Sequence, residues 1–320
     1  MLLIVRYLQR LWLKSRGPAK THGRFADDQD PPGASRDAGD APASRPGPVG
    51  RSHGRWRSAA SRGTLALLAH QTRYELLTAR RNPRARFLIF IFPILLLVIF
   101  AGVFQGSTTV DGVHVKLSRY FVFGILTMAI VLASYANLVI AIATLRETGV
   151  LKRRRATPVA PAILIGAQAI SAVVTVAIMT TLMLVIAKVL YGIGIAPGAI
   201  AAAACTATLG GLAFAAIGYA VSGVIGSPEA AQPIVQLTTM PLWFLSGVLI
   251  STQNLSGALR KIGEIFPVEH LAAGLHLASI HRTFASSISV TDLIVLALWG
   301  IAAAVLAAWR FSWLPSSATT

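Results

Sequence analysis

Cysteine is nearly missing from this chain. Cys205 is the only one in 320 residues, which excludes an intrachain disulfide and any cysteine-built metal cage. It lies among Ala and Thr in an apolar run, where it reads as a small packing residue. Charge is also scarce. Asp, Glu, Lys and Arg make up 13% of the chain, apolar residues 54%, and mean hydropathy is +0.64. A soluble domain of this length needs more charge on its surface. Carboxylates are the rarer sign, 12 against 29 Lys and Arg. The resulting +17 does not make a nucleic-acid binder, because that needs a basic face on a folded soluble domain. Here the cations sit in a polar leader and in short loops beside apolar spans. The richness in Ala, Arg, Gly and Val fits a bacterial chain from a GC-rich genome.

Motifs for chemistry are missing too. There is no G-x-x-x-x-G-K-S/T phosphate loop, so the chain has no Walker-type ATP site. H-E-x-x-H does not occur, and the G-x-S-x-G match at Gly50 to Gly54 lies in the polar leader, not between a strand and a helix. Glu269, His270, His276 and His281 gather in one loop, but they do not place two ligands at i and i+4. They read as polar interfacial residues rather than a metal or catalytic site.

What is present is a series of long apolar runs. Residues 1–62 stand apart from them. Met1 to Leu13 is broken by Arg6 and Arg10 and reads equally as a short interfacial helix or as residues ahead of the true start. The Pro-, Gly-, Ala-, Asp- and Arg-rich stretch after it can bury no core and is expected to be a disordered leader. From residue 63 to 86 the pattern turns helical. Leu65, Leu68, Tyr74 and Leu77 form an apolar stripe, with Arg73, Glu75, Arg80 and Arg81 elsewhere and Pro83 as a stop. This predicts an amphipathic helix in the membrane interface.

Six spans are expected between residues 87 and 314, each near the ~20 residues needed to cross hydrocarbon. They run from Phe87 to Phe104, Tyr120 to Leu145, Ile163 to Tyr191, Ala199 to Ile225, Ile234 to Ile250 and Leu293 to Trp313. Residues 315–320 are a short tail. Gly210, Gly211 and Gly218 in the fourth run suit close helix packing. Trp299, Trp309 and Trp313 suit interfacial anchors. Arg146 and Lys152 to Arg155 place the loop after the second span on the cytoplasmic side with the leader, so both termini are expected there. The loops at 106–119, 192–198 and 251–290 are then external.

At mid-span, polarity is limited to Asn137, Gln168, Gln236 and scattered hydroxyls. An ion-coupled carrier usually keeps charges at mid-membrane, and none is evident. The driving force is therefore expected from outside the chain.

The segment Arg146-Glu147-Thr148-Gly149-Val150-Leu151-Lys152-Arg153-Arg154-Arg155-Ala156-Thr157-Pro158 is more than a basic loop. Its Glu, Gly and proline stop are not required by topology and suggest a short structured element. It resembles the E-x-G-x-L-K/R-R-x-x-A/V-S/T-P signature of type-2 ABC exporter permeases, in the branch like the daunorubicin-resistance permeases. Pro241 to Val248 (PLWFLSGV) is similar to that family's P-x-x-F-x-S-G motif. Asn254-Leu255 through Phe266-Pro267 is similar to its external segment before the last span. The resemblance covers about Thr64 to Trp313. The chain departs from it in residues 1–62 and at Ser251, which stands where the family often has a proline-rich turn.

The resemblance implies an all-α membrane fold: an interfacial helix, six transmembrane helices and an external re-entrant hairpin between the fifth and sixth. It implies no catalytic site and no cofactor on this chain, with ATP and Mg held by a separate nucleotide-binding subunit. The permease would work as a dimer with a second copy or a paralogue, surrounded by lipid. Glu147, Gly149, Lys152, Arg153, Arg154, Arg155 and Pro158 would form the element that couples to the ATPase. Arg73, Glu75, Arg80 and Arg81 would belong to the interfacial helix, and Pro241, Phe244, Ser246 and Gly247 to the pathway or its gate. Two other classes remain as alternatives, an ion-coupled secondary carrier and an integral-membrane enzyme.

Overall fold

Backbone groups inside apolar runs have no water to bond, and helices satisfy them within one segment. The computed structural model describes residues 66–77, 87–104, 106–147, 161–225 and 227–310, and most of these are helical. Residues 66–77 form α1. A π-helical turn, Phe87–Ile91, leads into α2, Phe92–Val103. A hairpin follows, with β1 (Ser107–Val110) antiparallel to β2 (Val113–Lys116). Next, α3 (Leu117–Val131), a π-helical turn (Leu132–Ala136) and α4 (Asn137–Glu147) form one continuous rod. Then come α5 (Pro161–Tyr191), α6 (Ile200–Ser222) and α7 (Pro228–Leu245). Three short helices, α8 (Gly257–Gly263), α9 (Pro267–Ile280) and α10 (Phe284–Ser287), precede the last, α11 (Val290–Arg310).

Among the described residues, four helical stretches are long and apolar enough to cross a membrane: Leu117–Glu147, Gly166–Tyr191, Pro197–Ser222 and Val290–Trp309. The first apolar run is shorter, at Ile89–Val103. Helix α7 is outside that set because Glu229, Gln232, Gln236 and two internal prolines dilute its apolar content. Burial separates core from rim. The most apolar window of Leu117–Glu147 is 83% buried, that of Val290–Trp309 only 11%. The second apolar run is therefore the central rod, while Ile294, Leu298, Ile301 and Val305 of α11 face outward.

Close packing follows from small residues, since apolar side chains gain little by leaving lipid for protein. Helix α6 packs on α5, α9 and α11 as well as the central rod. Its Gly210 meets Leu271 of α9, Gly211 meets Val176 of α5, and Gly218 meets the Tyr135 carbonyl and Leu138.

Three sequence expectations need correction. The 106–119 segment is a hairpin rather than a plain loop, turned by Asp111 (φ 48°) and Gly112 (φ 73°). The fifth helix is displaced towards the N-terminus of its expected range. It starts at Pro228, where Ser227 caps it by accepting from Ala230 N at 3.4 Å, and stops at Leu245, where Gly247 turns left-handed (φ 67°). Cys205 is exposed on the face of α6, not packed inside.

Candidate functional site

The expected site residues fall at opposite ends of the bundle. At one end the central rod stops at Glu147, which is exposed. Gly149, Lys152, Arg153, Arg154, Arg155 and Pro158, with Arg80 and Arg81, lie outside the described residues. The residue that does structural work here is Arg146, which sequence reasoning took for a topology charge. Its Nη1 donates to Ser222 O at 3.0 Å and to Ile225 O at 2.8 Å. These are carbonyls at and just beyond the C-terminus of α6, where partial negative charge collects. Arg146 thus ties the end of the rod to the end of α6. Its Nε and Nη2 are buried and have no hydrogen-bond partner.

Helix α1 lies at this same end, against the start of α5. Leu68 approaches Gly166, and Leu68, Thr72, Arg73, Leu76 and Leu77 border a hollow of about 690 Å³ with Ile170. Thr72 is buried, whereas Arg73, Tyr74 and Leu77 are exposed and Glu75 is half-buried. Of the apolar stripe read from the sequence, Leu68 packs towards α5, Tyr74 and Leu77 are exposed, and Leu65 lies outside the described residues.

The gate residues divide at the hairpin end. Pro241 and Phe244 point out of the bundle, Phe244 being 44% exposed. Ser246 and Gly247 are buried and line a chamber of about 470 Å³. The turn they form is pinned by the rod: the Tyr120 hydroxyl donates to Gly247 O, and Gly124 leaves no space for a side chain beside the Val248 carbonyl. Further along, Tyr135 bonds Thr238 Oγ1 at 2.8 Å, a second tie between the rod and α7.

Helices α8 and α9 complete this end. Helix α9 packs against α3, α6 and α11, burying Leu271, Leu275 and His276. His276 lies between two backbone acceptors, Ala272 O at 2.8 Å and Tyr120 O at 3.2 Å. His270 also faces two acceptors. Its Nδ1 is 2.6 Å from Asp292 Oδ1, and its Nε2 is 2.9 Å from Glu264 O. Glu269 Oε2 lies 3.6 Å from His270 Nδ1. Only the imidazolium can donate from both nitrogens. The Asp292 carboxylate accordingly raises His270 above its ordinary value, against the opposing effect of burial. Burial also pushes the Glu269 carboxyl up, with His270 pulling it the other way. The Arg260–Glu264 pair, at 3.5 Å and half exposed, contributes little. Among the described residues no cluster of His, Cys, Asp or Glu could hold a metal ion. The histidines expected to be polar interfacial residues turn out to fasten the hairpin. The partners of His270 and His276 in other segments, Asp292 and the Tyr120 carbonyl, lie 22 and 156 positions away, so nothing in local spacing announced them.

A helical bundle with several membrane-length apolar helices, a capped rod end and a folded hairpin at the other end defines a multi-pass membrane protein. The family model described as ABC-2 type transporter matches residues 67–278, and the chain belongs to that family. A search among curated proteins finds no match. Family membership makes the chain a permease subunit of an ABC exporter, whose partner is an ATP-binding subunit.

Proposed function

We propose that the chain is the transport half of an exporter that moves an amphipathic substrate, a drug, antibiotic or lipid-like molecule, out across a bacterial cytoplasmic membrane. Power comes from ATP, with Mg, hydrolysed on a separate subunit. The family match is the observation that carries this reading. ABC-2 membrane domains are permease subunits without an ATPase site of their own.

In this reading the chain crosses six times. Phe87–Val103 and Pro228–Leu245 join the four longer helices, both termini are cytoplasmic, and α8–α9 re-enter the outer leaflet. Two permeases, copies or paralogues, enclose the pathway. Segment 147–158 seats in a groove of the ATPase, and α1 lies in the cytoplasmic interface. Two features support that arrangement. The rod ends at Glu147, the first residue of the charged segment. Arg146 joins that end to α6, so a push on the segment would move two packed helices as one body. The branch resembling daunorubicin-resistance permeases remains our choice on the three sequence motifs.

The test is charge reversal at the coupling element. Glu147→Lys combined with Arg154→Glu is expected to lower recovery of the ATPase subunit with the tagged permease and to abolish transport. Unchanged recovery and transport would remove 147–158 from the coupling role.

A further inference from the structure

With the hairpin end outside, the external loops hold five cations: Lys116, Arg119, Arg260, Lys261 and Arg282. None serves topology, which asks for Lys and Arg on the opposite side. Arg260 pairs with Glu264. Lys116, Arg119 and Arg282 instead surround one pocket of about 820 Å³, and no described carboxylate lines it. They come from the end of β2, the first turn of α3 and the segment just after α9, with the α5–α6 loop completing the wall.

Arg119 is held in place for a ligand. It is half-buried, and its Nη1 donates to Ser279 O at 2.8 Å and to Gly194 O at 3.2 Å. Those two bonds fix the guanidinium between separate segments. Among the described residues its Nε and Nη2 have no acceptor, and neither is a buried atom. One edge of a fixed guanidinium thus stays open, the arrangement that receives an oxyanion in two parallel bonds.

The surroundings select the kind of anion. Three of the four membrane-length helices have an end at this pocket: Leu117–Glu147 and Pro197–Ser222 begin there, and Gly166–Tyr191 finishes there. The pocket therefore lies where hydrocarbon gives way to headgroups. Val189 and Leu190, just before the lining residue Tyr191, and Ile200, just after the lining residue Pro197, are exposed. A free anion has no use for that apolar surface, whereas a lipid has.

We propose that the pocket holds the phosphate of an anionic phospholipid, with its acyl chains along Val189, Leu190 and Ile200. Assignment to the outer leaflet rests on the exporter reading; the binding chemistry does not. The phosphate accepts from the open edge of Arg119, and Lys116 and Arg282 neutralise it. A zwitterionic headgroup brings its own ammonium into the basic pocket and gains less. A seated lipid joins the β1–β2 hairpin, the α5–α6 loop and the end of α9.

The test is native mass spectrometry of the full chain, purified in mild detergent with whatever subunits accompany it. Phosphatidylglycerol or phosphatidylcholine with the same acyl chains is added, and bound lipids are counted. We expect the first phosphatidylglycerol to bind about tenfold more tightly, on the strength of charge-assisted hydrogen bonds. The variant R119Q/R282Q should lose most of that preference. Because Arg119 also ties two segments, K116Q/R282Q, which alters only exposed side chains, tests the proposal if the first variant does not fold, and should lose a part. R260Q/K261Q removes the remaining external cations and should keep the preference. Equal affinity for the two lipids, a preference the pocket variants retain, or an equal loss in R260Q/K261Q overturns the site. Millimolar inorganic phosphate should leave the lipid bound, and displacement by it would overturn the lipid in favour of a free anion. The exporter reading is judged separately, by whether an ATP-hydrolysing subunit is present in the same preparation.

Discussion

Removing one oxygen atom, in Tyr120→Phe, isolates what pins the Ser246–Gly247 turn. The Tyr120 hydroxyl donates to the Gly247 carbonyl, and the residue is 4% exposed. Phenylalanine keeps the ring packed at 5.9 Å from Phe121 and 4.7 Å from His276. The substitution therefore changes the bond and little else. It leaves a buried carbonyl without that donor, at a cost of about 1–3 kcal/mol. At about 1.4 kcal/mol per tenfold, local opening of the turn rises roughly 5- to 150-fold. Tyr135→Phe is the contrast. The partner of Tyr135, Thr238 Oγ1, also bonds Ile234 O and Val235 O at 2.8 and 2.9 Å, so no group is stranded. That loss should stay near the ~0.5–1.5 kcal/mol net worth of an ordinary hydrogen bond. Hydrogen exchange in nanodiscs separates the two. Amides in 246–252 should exchange faster in Tyr120→Phe and by much less in Tyr135→Phe, with α5 and α6 unchanged. Equal effects in the two variants, or a change spread over the whole chain, would refute the reasoning.

Other perturbations follow from the same contacts. Arg146→Ala removes two charge-assisted bonds to α6 but also two buried N–H groups without partners, so the terms partly cancel; we expect about tenfold faster exchange in 219–225, a net ~1–2 kcal/mol, and no change there would deny the capping role. Gly124→Ala drives a methyl into the Val248 carbonyl, an overpacking worth about 1–3 kcal/mol, and should lower the thermal midpoint. Gly257→Ala, with open space around it, should not. His270→Gln probes the fastening of α9 to α11. Because the folded protein raises His270, its stabilisation is complete below the ordinary value of 6.5 and is lost as pH rises through the raised value. Glu269, also raised, acts in the same direction. The stability gap between native protein and His270→Gln should narrow from pH 6 towards pH 9, and a gap that does not vary would contradict the pairing.

Much of the scaffold was legible because lipid imposes one rule, a long apolar helix per crossing. The runs for the second, third, fourth and sixth spans coincide with the four membrane-length helices. The fifth was misplaced because its apolar residues cluster in its second half, while its start is written in Ser227-Pro228, a capping signal rather than an apolar one. The hairpin was also readable in principle, since Asp111-Gly112 between two short β-prone segments is a turn signal. The chamber was not. Residues 111, 246, 264, 269 and 292 meet only through the tertiary packing of α9 on α3, α6 and α11. Arg146 shows the same limit, because its acceptors lie 76 and 79 positions away and nothing local distinguishes it from the topology charges that follow.

The most direct test of the exporter reading is to purify the tagged chain from its native membranes in mild detergent and assay the eluate for ATP hydrolysis. The account predicts a stoichiometric nucleotide-binding subunit with vanadate-sensitive turnover. A chain that emerges alone from several mild detergents, with no ATPase activity, would contradict it and favour the ion-coupled carrier instead.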